Sequence, residues 1–187
     1  VLAIKMEQGD DPEAFETLLH SCFAYAGADD HFWLSNEIPT LGECRGKIVL
    51  MRRYDDVLGL GEASGIPMMW TDQKANDDVS ENVAVEPQNG YTLLVQDRFK
   101  YDTDDKWNAF VRGLNAEAAY LEGAGSEKVL RLNFLSTNGT PSFGHPYKYA
   151  KILNERLLAE DLSNYPKSWI IVDFADSDMA EKIYSLN

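Results

Sequence analysis

The segment RGKIVLMRRY, residues 45–54, decides the fold class of this 187-residue chain. Its centre, residues 48–51, is a continuous apolar run with β-branched members, and two arginines and a tyrosine follow it. Such a run is typical of a strand buried on both faces, as in a parallel sheet. In an α/β barrel, the carboxyl ends of these strands carry the chemistry. Arg52 and Arg53 therefore predict a bound anion, most simply a phosphate, unless both pair with acidic side chains instead.

The composition limits the classes of partner. Hydrophobic residues make up 44% of the chain and charged residues 26%, which is ordinary for a globular protein with a core. No run approaches the ~18 apolar residues that a membrane span requires. The formal net charge of −14 opposes non-specific binding to nucleic acid, which requires clustered Lys and Arg. We therefore expect a single domain over residues 1–187, no nucleic-acid partner, and a local cluster for any anionic ligand.

Two cysteines, Cys22 and Cys44, leave two interpretations open. They form a disulfide if the protein is secreted, or they are two separate buried thiols. They show no CxxC pattern and no metal-ligand spacing, so the sequence predicts no metal site. Residues 138–140, Asn-Gly-Thr, match the acceptor pattern for N-glycosylation, which is weak support for a secretory route. The apolar residues 1–4 read as the interior of a strand, so the sequence is expected to begin inside a domain.

Five short apolar segments have the character of buried strands. They span residues 1–5, 45–54, 91–100, 129–136 and 169–174. Polar residues stand at or near the end of each, which predicts that functional side chains gather on one rim of a sheet.

Amphipathic segments between these strands predict helices. The first begins at Pro12 with Asp11 as its cap, and the second is capped by Asp102 or Thr103. Residues 149–157 and the carboxyl terminus have the same periodicity. Because alternating strands and helices are typical of parallel sheets, the sequence predicts an α/β fold.

Residues 55–88 show no sustained periodicity and contain several glycines and prolines. We expect a long irregular connection here. Such connections in a compact domain are usually functional, and this one presents Trp70 and Asp72.

Several segments resemble, in order, the bacterial-type phosphatidylinositol-specific phospholipase C family, an X-domain, PLC-like phosphodiesterase family. They are IKMEQ (4–8), LGECRGKIVLMRRY (41–54), the Trp-Thr-Asp step (70–72), LLVQDRFKY (93–101), LRLNFLS (130–136) with PYKYA (146–150), and WIIVDF (169–174). The resemblance implies an irregular TIM-type (β/α) barrel of which this chain supplies about strands 4–8, its C-terminal portion. It also implies that the N-terminal portion, with the catalytic histidines, lies outside this sequence, either on a separate or nicked chain or in a missing part of the same protein.

The activity that the resemblance implies is that of an enzyme, a phosphatidylinositol phosphodiesterase or lyase. The inositol 2-hydroxyl attacks the neighbouring phosphodiester, which releases diacylglycerol and a cyclic inositol phosphate. The implied partners are an inositol-containing headgroup and, transiently, a membrane surface, and the implied location is extracellular. No cofactor is expected. Lys5 stands where calcium-dependent relatives have a glutamate ligand, and an ammonium there repels a divalent ion, so the resemblance implies metal-independent chemistry.

The resemblance assigns seven residues to the headgroup pocket. They are Lys5, Glu7, Arg53, Trp70, Asp72, Asp97 and Phe99. Arg53 looks like the arginine that holds inositol hydroxyls. Phe99 stands where the family often has a tyrosine stacked on the sugar ring, so the stacking face is kept and the hydroxyl is lost. Carboxylates and cations that bind hydroxyls, with an aromatic plane for the C–H face, suit a neutral polyol.

Asp173 is the one catalytic residue that the resemblance assigns in this chain. It matches the aspartate that orients the general-base histidine, in the manner of a hydrolase triad. His20, His31 and His145 lie outside the matching motifs, and no catalytic role is assigned to them. The alternative is a non-catalytic, inositol-binding module of the same fold that lacks the histidines.

Overall fold

A computed structural model of the chain describes residues 1–7, 9–70, 73, 83–85, 91–116, 129–139 and 145–185, with only the backbone at 28–29 and 83–85. These residues divide into two compact units, each with its own sheet. We call residues 1–70 the N-terminal unit and the described residues from 73 onward the C-terminal unit. The mixture of parallel strands and helices confirms the predicted α/β class. The single-domain organisation stays a prediction.

The N-terminal unit is built around strand β3, Ile48–Arg53. On it pair in parallel β1 (Leu2–Lys5), β2 (Phe32–Trp33) and β4 (Ile66–Pro67). The central side chains of β3 are buried, and Leu50 is fully enclosed, as the continuous apolar run predicts.

Helix α1, Pro12–Tyr25, begins where the sequence predicts. The Asp11 carboxylate accepts a hydrogen bond from the Ala14 N–H at 2.9 Å, and Pro12 occupies the first turn. Helix α2, Ala28–His31, and a 3₁₀ turn, Gly61–Ala63, complete this unit.

The C-terminal unit has the strand order β5-β6-β7-β8. The strands are β5 (Val83–Val85), β6 (Thr92–Gln96), β7 (Val129–Phe134) and β8 (Trp169–Ile171). The last three are parallel, but β5 is antiparallel to β6, so the expectation of a wholly parallel sheet is wrong at this edge.

Among the described residues, the helices that cover the C-terminal sheet are α3 (Thr103–Asn115), α4 (Pro146–Ala159) and α5 (Ser177–Tyr184). The Asp102 side chain caps α3, as predicted, by accepting from two N–H groups of its first turn. The core between these elements consists of Phe110, Leu114, Leu135, Leu153, Leu157, Leu162 and Met179. In the described part of the chain, no helix has the length and apolarity to cross a membrane.

Two further expectations need correction. The connection over residues 55–88 is not wholly irregular, because it contains the 3₁₀ turn, β4 and β5. Each of these pieces is two or three residues long, which is too short for a periodic pattern. Cys22 and Cys44 are free thiols, and Cys22 is exposed, so they form neither the disulfide nor two buried thiols.

We predict that Gly113→Ala destabilises the protein, although alanine is the better helix former. A Cβ at residue 113 would lie 2.5 Å from the Asn133 Oδ1 atom. Asn133 cannot retreat easily, because its amide is buried and donates to the Phe110 carbonyl at 2.9 Å. We expect a loss of about 2 kcal/mol in the free energy of unfolding, measured by urea denaturation.

The matched control is Gly42→Ala, at an exposed glycine where the nearest atom to a new Cβ is 3.8 Å away. This variant should unfold like the wild type. Equal midpoints for the two variants would show that α3 and β7 are not packed as described.

Candidate functional site

The N-terminal unit gathers four of the predicted site residues at one end of its sheet: Lys5, Glu7, Arg53 and Trp70. Lys5 ends β1 and Arg53 ends β3, and the parallel register places them directly opposite each other. Two neighbouring cations repel unless a negative group lies between or beside them. Glu7 provides one, since its Oε1 atom is 3.1 Å from the Lys5 Nζ atom. This strand end therefore presents two cations and one largely exposed carboxylate.

Arg53 stacks on the indole of Trp70, with 3.5 Å between its Cζ atom and the ring centroid. Trp70 follows β4, the strand that pairs with the same part of β3. A flat stack of this kind uses the face of the guanidinium, whereas its N–H groups lie in the plane. Trp70 therefore fixes the plane of the Arg53 guanidinium.

Arg52 points elsewhere, and the predicted anion site at this residue is wrong. It is buried, and its Nη1 atom donates to the Tyr54 carbonyl at 2.9 Å. Burial and the neighbouring Glu16 carboxylate raise the pKa of Tyr54 to about 12, and Arg52 opposes this effect. Arg52 thus belongs to a buried polar cluster with Glu16 and Tyr54. The alternative, an ion pair with an acidic side chain, stays a prediction for this arginine, because its described hydrogen bond goes to a backbone carbonyl. Arg52 and Arg53 differ because alternate residues of a strand face opposite sides.

In the C-terminal unit, the end of β6 is held by the side chain of Gln96, which is 1% exposed. Its Nε2 atom donates to the Asn133 Oδ1 atom and to the Phe134 carbonyl, both at 2.7 Å. Its Oε1 atom accepts from the Arg98 N–H and from the Lys106 Nζ atom, both at 3.0 Å. The amide therefore uses its full hydrogen-bonding capacity to join β6, β7 and α3.

Asp97 and Phe99 lie two residues apart just beyond β6. The backbone N–H of Asp97 donates to the Gln73 Oε1 atom at 2.8 Å, while the Gln73 Nε2 atom donates to the Val95 carbonyl at 3.1 Å. A bridge between Gln73 and Arg98 keeps this segment extended. Both side chains are half-buried, and their spacing places them on the same side of the extended chain.

Lys106, in the first turns of α3, is 0% exposed. Its Nζ atom donates to the Gln96 Oε1 atom at 3.0 Å and to the Arg98 carbonyl at 2.8 Å. Burial lowers the pKa of Lys106 to about 7, against the opposing effects of Asp97 and Asp173. Two of the predicted carboxylates therefore act on one buried amine.

Asp173 follows β8 and is half-buried. Burial raises the pKa of its carboxyl group, and the Lys106 amine opposes this rise. Its carbonyl accepts from the Asn154 amide at 3.0 Å. The next residue, Phe174, has a φ of 53°, in the left-handed region that side chains seldom adopt, and its ring lies 5.3 Å edge-on from that of Tyr147. The chain thus bends sharply directly after Asp173.

Lys106 was not predicted as a site residue from the sequence, because a lysine near the start of a helix is usually exposed to solvent. A signal was present, since Lys106 stands four residues before Phe110 and seven before Gly113, on one helix face. Asp72 lies outside the described residues. Among the residues that the structure describes, no group of three potential metal ligands occurs, and metal independence stays a prediction.

The three histidines lie at separate places. His20, on α1, was expected to be free of catalysis, and its Nε2 atom is 4.0 Å from the Glu16 carboxylate. His31 ends α2, and His145 is exposed at the start of α4. No catalytic role is assigned to any of these three histidines.

Comparison with known proteins gives a consistent result. No protein-family model matches the chain. Two proteins of Staphylococcus aureus, from strains Newman and NCTC 8325 / PS 47, are named 1-phosphatidylinositol phosphodiesterase and are 32% identical over 148 residues. The match covers 75% of this chain, and 44% and 42% of the two relatives, so the chain spans less than half the length of these curated relatives.

Solved structures show the same likeness. A phosphatidylinositol-specific phospholipase C of S. aureus, from a study of its membrane binding, superposes with a TM-score of 0.68 at 23% identity, over 100% of this chain and 64% of that one. A form of the enzyme containing pentafluoro-Phe gives 0.67 at 26% identity, over 92% and 58%. These matches confirm the predicted fold, part of a TIM-type barrel.

The depressed pKa of Lys106 predicts a pH-dependent effect on stability. Between its folded value of about 7 and its ordinary value of 10.5, the folded state binds one proton fewer than the unfolded state. The stability of the wild type should therefore rise with pH relative to Lys106→Met, by about 1.4 kcal/mol per pH unit across this window. Below pH 7 the amine is charged in both states, and the difference should be constant.

Urea denaturation at several pH values measures this difference directly. Lys151→Met, at an exposed lysine of α4, is the matched control and should give a constant offset throughout. Parallel stability curves for the wild type and Lys106→Met would contradict the burial of a titrating amine.

Proposed function

Because this chain belongs to the bacterial phosphatidylinositol-specific phospholipase C family, we propose that it supplies the inositol-binding part of a phosphatidylinositol phosphodiesterase. The observation that carries this proposal is the strand end of the N-terminal unit, where Lys5 and Arg53 lie opposite each other and Glu7 is 3.1 Å from the Lys5 amine. A polyol with many hydroxyls binds to groups of both kinds, because each hydroxyl donates one hydrogen bond and accepts others.

In the proposed reaction, the inositol 2-hydroxyl attacks the neighbouring phosphorus. The bond from phosphorus to the diacylglycerol oxygen breaks, so the products are diacylglycerol and a cyclic inositol phosphate. A general base takes the proton of the hydroxyl, and a general acid gives one to the leaving oxygen. The family resemblance assigns both roles to histidines of the family's N-terminal segments, which the matching motifs of this chain do not include, and not to His20, His31 or His145. The part of the reaction that this chain carries is therefore headgroup binding and the orientation of the base by Asp173.

Arg53 is the best-defined member of the pocket. Its stack on Trp70 at 3.5 Å holds the guanidinium in one plane, and a planar fork can bind two vicinal hydroxyls at once. Lys5 and Glu7 extend the same strand end with a single charge of each sign. Asp97 and Phe99 offer a carboxylate and an aromatic face on one side of the C-terminal unit. The family resemblance also assigns Asp72 to the proposed pocket.

The proposal extends to the setting of the reaction. The substrate is a membrane lipid, so the protein must contact a membrane surface transiently. An extracellular location and metal-independent, lyase-type cleavage follow from the family resemblance. The remaining part of the barrel, with the catalytic histidines, is proposed to complete the site. In support, the solved S. aureus enzyme that this chain resembles was studied for its membrane binding.

We predict that Arg53→Ala in the intact protein lowers kcat/KM for phosphatidylinositol by roughly 30- to 150-fold. The reason is the loss of charged hydrogen bonds worth ~2–3 kcal/mol. The assay follows the release of cyclic inositol phosphate from vesicles. Arg45→Ala, at an exposed arginine before β3, is the control and should retain wild-type activity.

The same assay also distinguishes the proposed enzyme from the non-catalytic, inositol-binding module. Wild-type activity in Arg53→Ala would remove Arg53 from the pocket. Inositol binding by the wild type without any turnover would favour the non-catalytic module instead.

A second prediction concerns metal ions. Activity should persist in excess EDTA, because the Lys5 ammonium repels a divalent cation at this strand end. The measurement compares turnover before and after chelation, and then after calcium is added back. Loss of turnover with EDTA and its recovery with calcium would refute the role given to Lys5.

A further inference from the structure

Lys106 is a fully buried, titratable side chain to which the proposed reaction gives no role. It reaches from α3 to the carboxyl end of β6, where its Nζ atom donates to the Gln96 Oε1 atom at 3.0 Å and to the Arg98 carbonyl at 2.8 Å. A lysine that only needed to satisfy these two acceptors would be an expensive choice, because burying an amine that can carry a charge costs several kcal/mol.

The surroundings of the amine explain the choice of residue. Its two hydrogen bonds go to Gln96 and Arg98, the residues on either side of Asp97, so Asp97 lies on the segment that Lys106 holds. The charges of Asp97, Arg98 and Asp173 act on the amine. A neutral amine has two N–H donors, and the two described hydrogen bonds use both of them. An ammonium has a third donor and a full positive charge, which the two carboxylates favour and Arg98 opposes. The charge state of the amine is thus coupled to Asp97 and Asp173.

We propose that Lys106 is a positioning residue for the reaction: it fixes the segment that carries Asp97 through Gln96 and Arg98, and its charge acts on the Asp97 and Asp173 carboxylates. This inference rests on the proposed function, because it gives Lys106 its effect through two carboxylates of the site. Gln96 fixes the amine in place, since the same amide oxygen also accepts from the Arg98 N–H. Lys106 therefore acts on the headgroup and on the general base only through Asp97 and Asp173.

The proposal has a directional consequence for catalysis. An aspartate that orients a base histidine must be ionised. Burial opposes ionisation of Asp173, and the positive amine favours it. Removing the amine should therefore move the acid limb of the pH profile of kcat to higher pH. A residue that only filled space in the core would lower the amount of folded protein and leave the position of this limb unchanged.

The first experiment measures the coupling without any turnover. In the intact protein, the titration of the Lys106 side chain is followed by NMR of the ¹³C-labelled lysine ε-methylene group. Asp97→Asn and Asp173→Asn should each lower its midpoint by roughly one pH unit, because each removes a negative charge near the amine. Glu155→Gln, which makes the same charge change at an exposed site on α4, should leave the midpoint in place. Equal midpoints in all four proteins would overturn the proposal.

The second experiment is a double-mutant cycle on kcat, with Lys106→Met, Asp173→Asn and the double variant. We expect Lys106→Met to lower kcat about 10-fold or more in the wild-type background and to have little effect when Asp173 is already asparagine. The acid limb in Lys106→Met should also move to higher pH. Additive losses with an unmoved acid limb would show a merely structural role and overturn the proposal.

The two experiments separate this proposal from the proposed function. The titration arm leaves Lys106 in place, so it decides the coupling even when Lys106→Met fails to fold. A titration that responds to both aspartates supports the coupling, even if the intact protein does not cleave phosphatidylinositol. In that case the proposed function is wrong, and Lys106 positions the two carboxylates for a different reaction or ligand.

Discussion

The side-chain amide of Gln96 makes four hydrogen bonds in a space closed to water, and the end of the C-terminal sheet depends on them. A buried amide with any of these bonds missing would cost about 1–3 kcal/mol for each group left unsatisfied. The four partners therefore constrain one another. The Asn133 amide fixes how closely α3 approaches β7, and α3 in turn carries Lys106 to the site. The four hydrogen bonds of one buried amide thus set the geometry at this end of the C-terminal unit.

Much of the fold could be predicted from the sequence, because its signals are local. Asp11 and Asp102 cap helices that begin at the next residue, and the apolar run of β3 is a buried parallel strand. The short strands β4 and β5 could not be predicted, since two or three residues carry no period. Their existence depends on pairing with β3 and β6, which lie outside the short segments themselves.

The candidate site shows the same division. Arg53 and Lys5 could be placed at strand ends from the sequence, but their parallel register could not. Arg52 and Arg53 are the same residue type, so composition cannot distinguish them. Because side chains alternate along a strand, Arg52 is buried whereas Arg53 stacks on Trp70. Lys106 could not be found by charge, because its burial depends on acceptors supplied by β6 and the segment beyond it.

The local charge at these strand ends is opposite to that of the molecule. A chain with a formal net charge of −14 presents Lys5 and Arg53 side by side in its N-terminal unit. The net charge opposes non-specific binding to nucleic acid, while this strand end carries a local positive charge. Selectivity for a ligand then depends on where the charged residues lie rather than on the net charge of the chain.

The left-handed backbone at Phe174 limits how this chain can vary. Asparagine and glycine adopt such a conformation readily, whereas valine and isoleucine do so at a high cost. A library of substitutions at this residue would therefore be sorted by backbone preference more than by side-chain polarity, although the ring is 60% exposed. Phe174 therefore tolerates few substitutions because of its backbone conformation, although its ring is exposed.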